Sequence, residues 1–147
     1  MKTAVVYYSH HHGNTKKLLD AIAGKYDLTL IDASAVTDAA LEEFDLIGFA
    51  SGIYYSKFHR SVLALAEKCL PKGKRVFFLY TYGAEKKGYT EAIRKAVAPS
   101  GAEVAGAYGC FGFNTFGPFK LIGGMAKGHP DRQELDGAVQ FYEGLLQ

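Results

Sequence analysis

Five short apolar stretches alternate along this chain with segments in which apolar residues follow the period of an α-helix. The stretch Arg75–Tyr82 is rich in aromatic and aliphatic residues, as is typical of a strand buried on both faces. By contrast, Leu18, Leu19 and Ile22 recur at the spacing of one helical face. Strands that alternate with helices form an α/β fold around an open, mostly parallel sheet with right-handed crossovers. We predict strands at residues 3–9, 27–32, 46–52, 75–82 and 103–109, and helices at 14–25, 37–44 (capped by Thr37), 61–70, 88–97 and 131–146.

The composition limits both the number of domains and the compartment. With 147 residues, 48% of them hydrophobic and 22% charged, the chain is expected to fold as a single domain over residues 1–147. A net charge of +2 does not indicate nucleic acid or an anionic membrane as a partner, and no apolar stretch approaches the ~20 residues of a membrane helix. Two cysteines cannot form a disulfide framework, and they lack the paired spacing of a zinc site. We therefore expect a cytoplasmic protein with free thiols, no membrane span and no nucleic-acid partner.

The first predicted strand runs through a polar loop directly into the first helix. Parallel α/β sheets bind ligands beyond the carboxyl ends of their strands, so this loop lies where a site is expected. Gly13 lets a ligand approach the backbone, Asn14 and Thr15 offer side-chain donors, and the helix N-terminus adds unpaired N–H groups. These groups predict an anion site, most simply one for phosphate, although the glycine-rich motifs of triphosphate and dinucleotide binding are absent. The residues of the predicted phosphate site are Ser9, His10, His11, His12, Gly13, Asn14 and Thr15.

The N-terminal strand, the sequence SHHHGNT and the helix after it resemble the phosphate-binding loop of the flavodoxin family. The resemblance extends over essentially the whole chain, because the later loops fall in corresponding positions. It implies a flavodoxin-like fold with a five-stranded parallel sheet of order 2-1-3-4-5, helices on both faces, and FMN as cofactor where the strand order reverses. One departure is that the flavodoxin loop commonly reads T/S-x-T-G-x-T, whereas the three histidines make the loop here one residue longer.

The loops after the third and fourth predicted strands are, by the same resemblance, the two walls that enclose the isoalloxazine ring of FMN. Tyr82 is expected to stack on one face of the ring, and Ile53 or Tyr54 to cover the other. An electron-rich aromatic side chain against the flavin disfavours the reduced anion, which is one way such proteins set the potential. Electron-transferring flavodoxins often have a glycine in the second loop, whose peptide turns over on reduction, and no glycine lies between Ile53 and Arg60. The residues expected at the ring are Ser51, Gly52, Ile53, Tyr54, Thr81, Tyr82 and Gly83.

Other motifs in the chain suggest competing chemistry. Three consecutive histidines cannot all bind one metal ion in normal geometry, and no carboxylate or cysteine accompanies them in the loop, so no metal site is predicted. The spacing from Cys69 to Arg75 matches that of small tyrosine phosphatases, but it lies at a helix end before a strand, where the thiolate lacks a helix N-terminus. Cys110 is expected to be a buried structural thiol, and spacing singles out no catalytic residue. Residues 111–130 interrupt the alternation and are predicted to form a functional loop, in which Lys120 and the aromatic residues would shape a substrate pocket if the protein is an enzyme.

We therefore predict an FMN-binding, flavodoxin-like electron-transfer protein that exchanges electrons with a redox partner protein or a small electron donor or acceptor. The alternatives are a flavodoxin-like FMN-dependent oxidoreductase acting with NAD(P)H, a quinone or a porphyrinogen, and an adaptor that keeps only the fold. Flavodoxin carriers are usually strongly acidic and use that field to reach basic partners. Here residues 20–45 hold seven acidic residues against Lys25 alone, so the rest of the chain is basic, which strengthens the oxidoreductase alternative. Basic residues in or near the predicted site loops or the adjacent helix–strand region are Lys57, His59, Arg60, Lys72, Lys74, Lys86 and Lys87.

Overall fold

A β-sheet with helices on both faces forms the described part of the chain, which in this computed structural model comprises residues 1–10, 13–113 and 128–147. The strands are β1 (Thr3–Tyr8), β2 (Thr29–Asp32), β3 (Leu46–Tyr54), β4 (Lys57–Phe58), β5 (Arg75–Tyr82) and β6 (Glu103–Phe111). The helices are α1 (Asn14–Ala23), α2 (Arg60–Cys69), α3 (Glu91–Val97) and α4 (Arg132–Leu145), and a short 3₁₀ turn (Ala98–Ser100) follows α3.

The strand order confirms the fold predicted from the sequence. Strands β2, β1, β3, β5 and β6 lie side by side in that order and run parallel, while the two-residue β4 pairs antiparallel with β3. Apart from this additional strand, the path is the expected flavodoxin-like one. The order reverses between β1 and β3, so a ligand-binding crevice is expected at their carboxyl ends. At that edge the sheet register places Tyr8 opposite Ser51, Gly52 opposite Thr81, and Tyr82 opposite Phe111.

Each face of the sheet has its own apolar core, because successive side chains of a strand point to opposite faces. Helices α1 and α4 cover one face, and α2 and α3 cover the other. None of the helices within residues 1–10, 13–113 and 128–147 is long and apolar enough to cross a lipid bilayer. Fully buried members of the first core are Val5, Leu18, Leu19, Ile22, Phe77 and Leu79, and of the second Val6, Phe49, Val62, Phe78 and Ile93.

The helix predicted at residues 37–44 is wrong, because this segment forms turns and bends. Contacts from α2 hold its backbone in a non-helical path. The Asp38 carboxylate accepts a hydrogen bond from the Cys69 thiol (3.1 Å), and the Lys68 ammonium donates to the carbonyl of Thr37 (2.9 Å). Thr37 therefore caps no helix. Tertiary contacts here outweigh a local preference for helix that is worth only tenths of a kcal/mol per residue.

Several predicted boundaries also shift by a few residues. Helix α3 begins at Glu91 rather than at 88, because Gly88 has a left-handed backbone (φ 90°) that ends the preceding loop. Strand β6 continues two residues beyond 109, so Cys110 lies within the strand rather than after it. The sequence did not predict the hairpin formed by β3 and β4. Pairing of Ile53 with Phe58 and of Tyr54 with Lys57 gives the loop after β3 a regular backbone.

Candidate functional site

A cleft opens at the carboxyl edge of the sheet, where the loops after β1, β3, β5 and β6 meet. Nine of the fourteen site residues predicted from the sequence line this cleft: Ser9, Asn14, Thr15, Gly52, Ile53, Tyr54, Thr81, Tyr82 and Gly83. Three lining residues were not among the predicted ones, namely Tyr55, Gly112 and Phe113.

The N-terminus of α1 forms the floor of the cleft below the first loop. Gly13 precedes the helix in a left-handed conformation (φ 63°), which glycine adopts without the strain that a side chain would add. The Ser9 hydroxyl accepts a hydrogen bond from the Lys16 amide (2.9 Å), so Ser9 satisfies one of the free N–H groups of the first turn. Among the described residues we find no acceptor for the amides of Asn14 and Thr15. The helix end therefore offers backbone donors, together with the positive end of its dipole, to an anion.

Thr15 links this helix end to the neighbouring strand. Its hydroxyl lies 2.9 Å from that of Thr81 at the end of β5, and both side chains are buried. A hydroxyl has one donor and two acceptor positions, so one of the pair keeps a proton that it can donate elsewhere. The pair fixes the distance between the first loop and the β5 wall.

The side chain of Asn14 is buried, and only one end of its amide has a partner. Its Nδ2 donates to the carbonyl of Phe113 (2.7 Å), which settles the orientation of the amide because only the NH₂ group can donate to a carbonyl. Its Oδ1 is buried and has no hydrogen-bond partner among the described residues. Such an acceptor normally has a donor, since leaving it unpaired costs about 1–3 kcal/mol. The cleft thus presents a free acceptor to which a donor group can bind.

The wall beside β3 ends in Tyr54, which is held edge-on by two other rings. The Tyr54 ring lies 5.6 Å from Tyr8 and 5.2 Å from His59, with interplanar angles near a right angle in both contacts. Tyr8 and His59 stack on each other at 3.6 Å. Ser51, which was predicted as a ring contact, is fully buried behind this wall, where its hydroxyl accepts from the His59 amide (2.9 Å). The hairpin is therefore braced by packing and by a buried hydrogen bond.

His59 carries no charge at neutral pH in this arrangement. Burial, followed by the electrostatic influence of Arg60 and His10, lowers the pKa of His59 below its ordinary value. Its Nδ1 accepts from the Ser61 amide (3.1 Å), so the neutral ring carries its proton on Nε2. The ring caps α2 and at the same time supports Tyr54.

The opposite wall is Tyr82, the last residue of β5. Its ring is half-buried and contacts Phe111 edge-on (5.0 Å) and Tyr89 at a tilt (5.6 Å). Burial, with a smaller contribution from the carboxylate of Glu85, raises the pKa of Tyr82 to about 12. Tyr82 therefore presents a neutral, electron-rich ring to the cleft across the physiological pH range.

His10, the described histidine of the first loop, does not line the cleft. The Nε2 atom of His10 is 3.0 Å from the hydroxyl of Ser34, which in turn donates to Asp32 (2.7 Å), so His10 turns toward the end of β2. The predicted site residues His11 and His12 lie outside the described residues. Gly13 shapes the helix start without lining the cleft.

Gly112 and Phe113 form a third wall of the cleft after β6. From the sequence, these residues were predicted only as part of a functional loop at residues 111–130. The Gly112 amide donates to the Tyr82 carbonyl (2.8 Å), and the Phe113 amide donates to the carbonyl of His129 (2.9 Å). The carboxylate of Glu134 accepts from the amides of Phe111 (3.2 Å) and Asp131 (2.8 Å). These bonds attach both flanks of residues 114–127 to the rim of the cleft, while residues 114–127 and the predicted role of Lys120 lie outside the described residues.

One group of potential metal ligands occurs in the described part of the chain, at the start of α4. It comprises His129, Asp131 and Glu134, whose ligand atoms lie within 4.8 Å of one another. Asp131 and Glu134 form a reciprocal capping box, in which each side chain accepts from the other's backbone amide, and His129 contacts the Glu134 carboxylate. The grouping follows from helix capping and requires no ion.

The two cysteines take no part in the cleft. Cys110 is buried on the α1 and α4 face of the sheet, as predicted, and burial with the nearby carboxylates of Glu134 and Asp131 raises its pKa to about 12. Its thiol is therefore protonated and unreactive at neutral pH. Cys69 ends α2, and Arg75 donates to the carbonyl of Leu145 (3.2 Å), so the phosphatase-like spacing does not form an anion loop.

Comparison with known proteins gives matches over most of the chain. Residues 5–117 match the family model of the flavodoxin domain. An uncharacterized protein of Methanocaldococcus jannaschii is 34% identical over 148 residues, a match that covers 99% of each chain.

Solved structures share the same fold. Flavodoxin 2 from Bacillus cereus superposes with a TM-score of 0.64 at 16% identity, over 98% of this chain and 97% of that one. General stress protein 14 from Treponema denticola, solved in complex with FMN, superposes with a TM-score of 0.63 at 13% identity, over 99% of each chain. At these low sequence identities the structural similarity shows only that the fold is shared.

Proposed function

The chain belongs to the flavodoxin domain family, and on this basis we propose that it binds FMN and acts as an electron-transfer protein. One observation carries the proposal. A single cleft offers backbone donors for an anion at the start of α1, an unpartnered buried acceptor on Asn14, and aromatic side chains on two opposing walls. FMN combines the three complementary groups in one molecule, namely a phosphate, a chain of hydroxyls and a flat aromatic ring.

The residues that would hold FMN follow from this match. The amides of Asn14 and Thr15 and the Thr15 hydroxyl would bind the phosphate, and a ribityl hydroxyl would donate to Oδ1 of Asn14. Tyr82 and Tyr54 would flank the ring. Both rings are partly buried and would exclude water, and because the raised pKa of Tyr82 keeps its phenol neutral, that ring would disfavour negative charge on the flavin. FMN, when bound, supplies the one- and two-electron chemistry that the side chains of the cleft do not provide.

A second candidate function is an FMN-dependent oxidoreductase acting with NAD(P)H, a quinone or a porphyrinogen. The third wall favours it, because Gly112 and Phe113 line the same cleft and would offer a surface for a small substrate beside the ring. Either function would place the protein among soluble redox proteins, and a cytoplasmic location remains part of the proposal.

Flavin titration tests the proposal and the phosphate assignment together. Apoprotein is titrated with FMN and with riboflavin, which lacks the phosphate, while quenching of flavin fluorescence is followed. Thr15→Val is expected to weaken FMN binding by about 1–3 kcal/mol, because a hydroxyl donor to a charged group is lost. It should change riboflavin binding much less. Thr29→Val is the matched control, since Thr29 is exposed at the start of β2, the opposite end of the sheet.

The outcomes of this titration separate the claims. Wild-type protein that quenches neither flavin contradicts the proposed function. Equal losses for FMN and riboflavin in Thr15→Val would contradict the phosphate role of Thr15 alone. Once FMN binding is established, a reductive titration in two separate one-electron stages supports the carrier, whereas rapid oxidation of NADH or NADPH in the presence of a quinone supports the oxidoreductase.

A further inference from the structure

Four cations lie at the rim of the cleft. Lys57 lies in β4 and Arg60 is the first residue of α2, both beside the wall formed by β3, and Lys86 and Lys87 follow β5 beside the other wall. All four side chains are exposed. Within residues 1–10, 13–113 and 128–147, none of the four has an ion pair or a side-chain hydrogen bond. The only acidic residue among 54–60 and 83–89 is Glu85, so the rim carries an excess of positive charge.

Several cations elsewhere in the molecule are neutralised or bonded. Lys16 pairs with Asp20 (2.7 Å), and Arg132 contacts Asp136 (3.3 Å). Lys74, which sequence analysis grouped with the possible site region, instead lies at the opposite edge of the sheet, where it donates to the carbonyls of Glu42 and Phe44. The unpaired cations of the rim thus leave a local positive field, whereas ion pairs offset the charge of Lys16 and Arg132.

An aromatic side chain stands out on the same rim. Tyr55 occupies the tip of the β3–β4 hairpin and is 85% exposed, although it also lines the cleft. An exposed tyrosine on the same rim as an arginine fits a protein interface, in which tyrosine and arginine are enriched.

We propose that the rim formed by Tyr55, Lys57, Arg60, Lys86 and Lys87 docks the acidic surface of a redox partner protein. The proposal rests on the proposed function, since the partner would exchange electrons with FMN held in the cleft. It reverses the usual charge relation of the family, in which an acidic carrier meets basic partners.

The arrangement of the cations favours a protein over a small anion. They lie on β4, on α2 and in the segment after β5, beside both walls of the cleft, and no described side chain ties them into one binding pocket. Charges spread in this way mainly steer a large partner and set its association rate. The start of α4, also on this edge, carries Asp131, Glu134 and Asp136, so an acidic partner would be oriented toward the hairpin side.

Electron exchange with partners of opposite charge tests this docking surface. The protein is first loaded with FMN and bound flavin is verified by its absorbance. A reduced acidic [2Fe–2S] ferredoxin then donates one electron to the flavin, and in a separate experiment the reduced protein donates one electron to basic cytochrome c. Rates are followed in a stopped-flow instrument at low and high ionic strength. The rate with ferredoxin should fall about tenfold as salt is raised, and the rate with cytochrome c should rise or stay constant.

Charge reversal on the rim gives the decisive comparison. Lys57→Glu/Arg60→Glu should slow the ferredoxin reaction about tenfold at low salt and speed the cytochrome reaction. The matched control is Lys25→Glu/Lys72→Glu, which makes the same change in net charge at exposed positions on the opposite edge of the sheet. Equal effects of the two double variants would overturn the docking surface. So would a rim variant that raises KM for NADPH but leaves the ferredoxin rate unchanged. Protein that takes up no FMN fails at the first step, which contradicts the proposed function rather than the docking surface.

Discussion

The two ends of the Asn14 side-chain amide differ in their hydrogen bonding. Its Nδ2 holds the backbone after β6 at Phe113, while its Oδ1 has no partner among the described residues. The Nδ2 contact ties the start of α1 to the wall after β6. The neighbouring Gly112 makes this contact possible, because a Cβ atom there would fall 2.8 Å from the Asn14 Nδ2 atom and 3.0 Å from its Cβ.

Substitution of that glycine tests the contact. In Gly112→Ala the added methyl group must displace Asn14, so the Asn14–Phe113 bond should be lost and the free energy of unfolding should fall by about 1–3 kcal/mol. Gly144→Ala is the control, because a Cβ at Gly144 meets nothing within 4 Å and the residue lies in α4. That control should be unchanged or up to about 1 kcal/mol more stable. Urea unfolding measures both, and equal stability of the two variants would contradict the role assigned to Gly112.

Among the elements, the β3–β4 hairpin departs most from its local sequence preference. Its two turn residues, Tyr55 and Ser56, both have left-handed backbones (φ 52° and 68°). Two-residue hairpin turns of this kind normally contain Asn-Gly or Asp-Gly, so Tyr-Ser gives no sequence signal for a turn. The strained turn places Tyr55 on the rim of the cleft, with its side chain exposed to solvent.

Relief of that strain has a measurable effect on stability. Ser56→Gly should raise the free energy of unfolding by about 0.5–1 kcal/mol, because glycine adopts positive φ without a steric penalty. Ser56→Val should lower it, since a β-branched residue is least compatible with this backbone. Thermal or urea unfolding of the two variants gives the comparison. A stability order with valine above glycine would show that the turn is not under the strain inferred here.

On the scale of the whole molecule, the parallel sheet concentrates titratable groups in a partly buried layer at its carboxyl edge and on the β6 side. Burial raises the pKa of Cys110, Tyr82 and Tyr108 to about 12 in each case. In the unfolded chain a thiol loses its proton near pH 9.0 and a phenol near 10.0. The folded state therefore binds more protons above pH 9. The stability linked to these groups is complete below the unfolded pKa and is lost as pH rises toward 12.

The alkaline loss of stability can be assigned to Cys110 by mutation. Between pH 9 and about 10.5 the free energy of unfolding should fall, with Cys110 alone contributing up to about 1.4 kcal/mol per pH unit. Cys110→Ala should reduce that slope, whereas Val139→Ala, a buried neighbour without a titrating group, should lower stability and leave the slope as it is. Urea unfolding at several pH values measures the slopes. Parallel pH profiles for wild type and Cys110→Ala would contradict the assignment.

The sequence by itself determined the order of strands and helices and the edge at which a site forms. Apolar stretches and helical periods follow from local burial, and the parallel topology follows from their alternation. For the same reason nine of the predicted residues line the cleft, since each lies at or beside the end of a strand or the start of a helix. Local pattern failed at residues 37–44, where contacts from α2 outweigh helix propensity.

Only the tertiary structure decided which groups in the cleft are already bonded and which remain for a ligand. Thr15 pairs with Thr81, sixty-six residues away in the chain, and Asn14 with Phe113, ninety-nine residues away. The tertiary structure also decided which cations near the cleft lack counter-ions. Hydrogen bonds and ion pairs between distant segments depend on distances of a few tenths of an ångström, and these exist only once the sheet has brought the loops together.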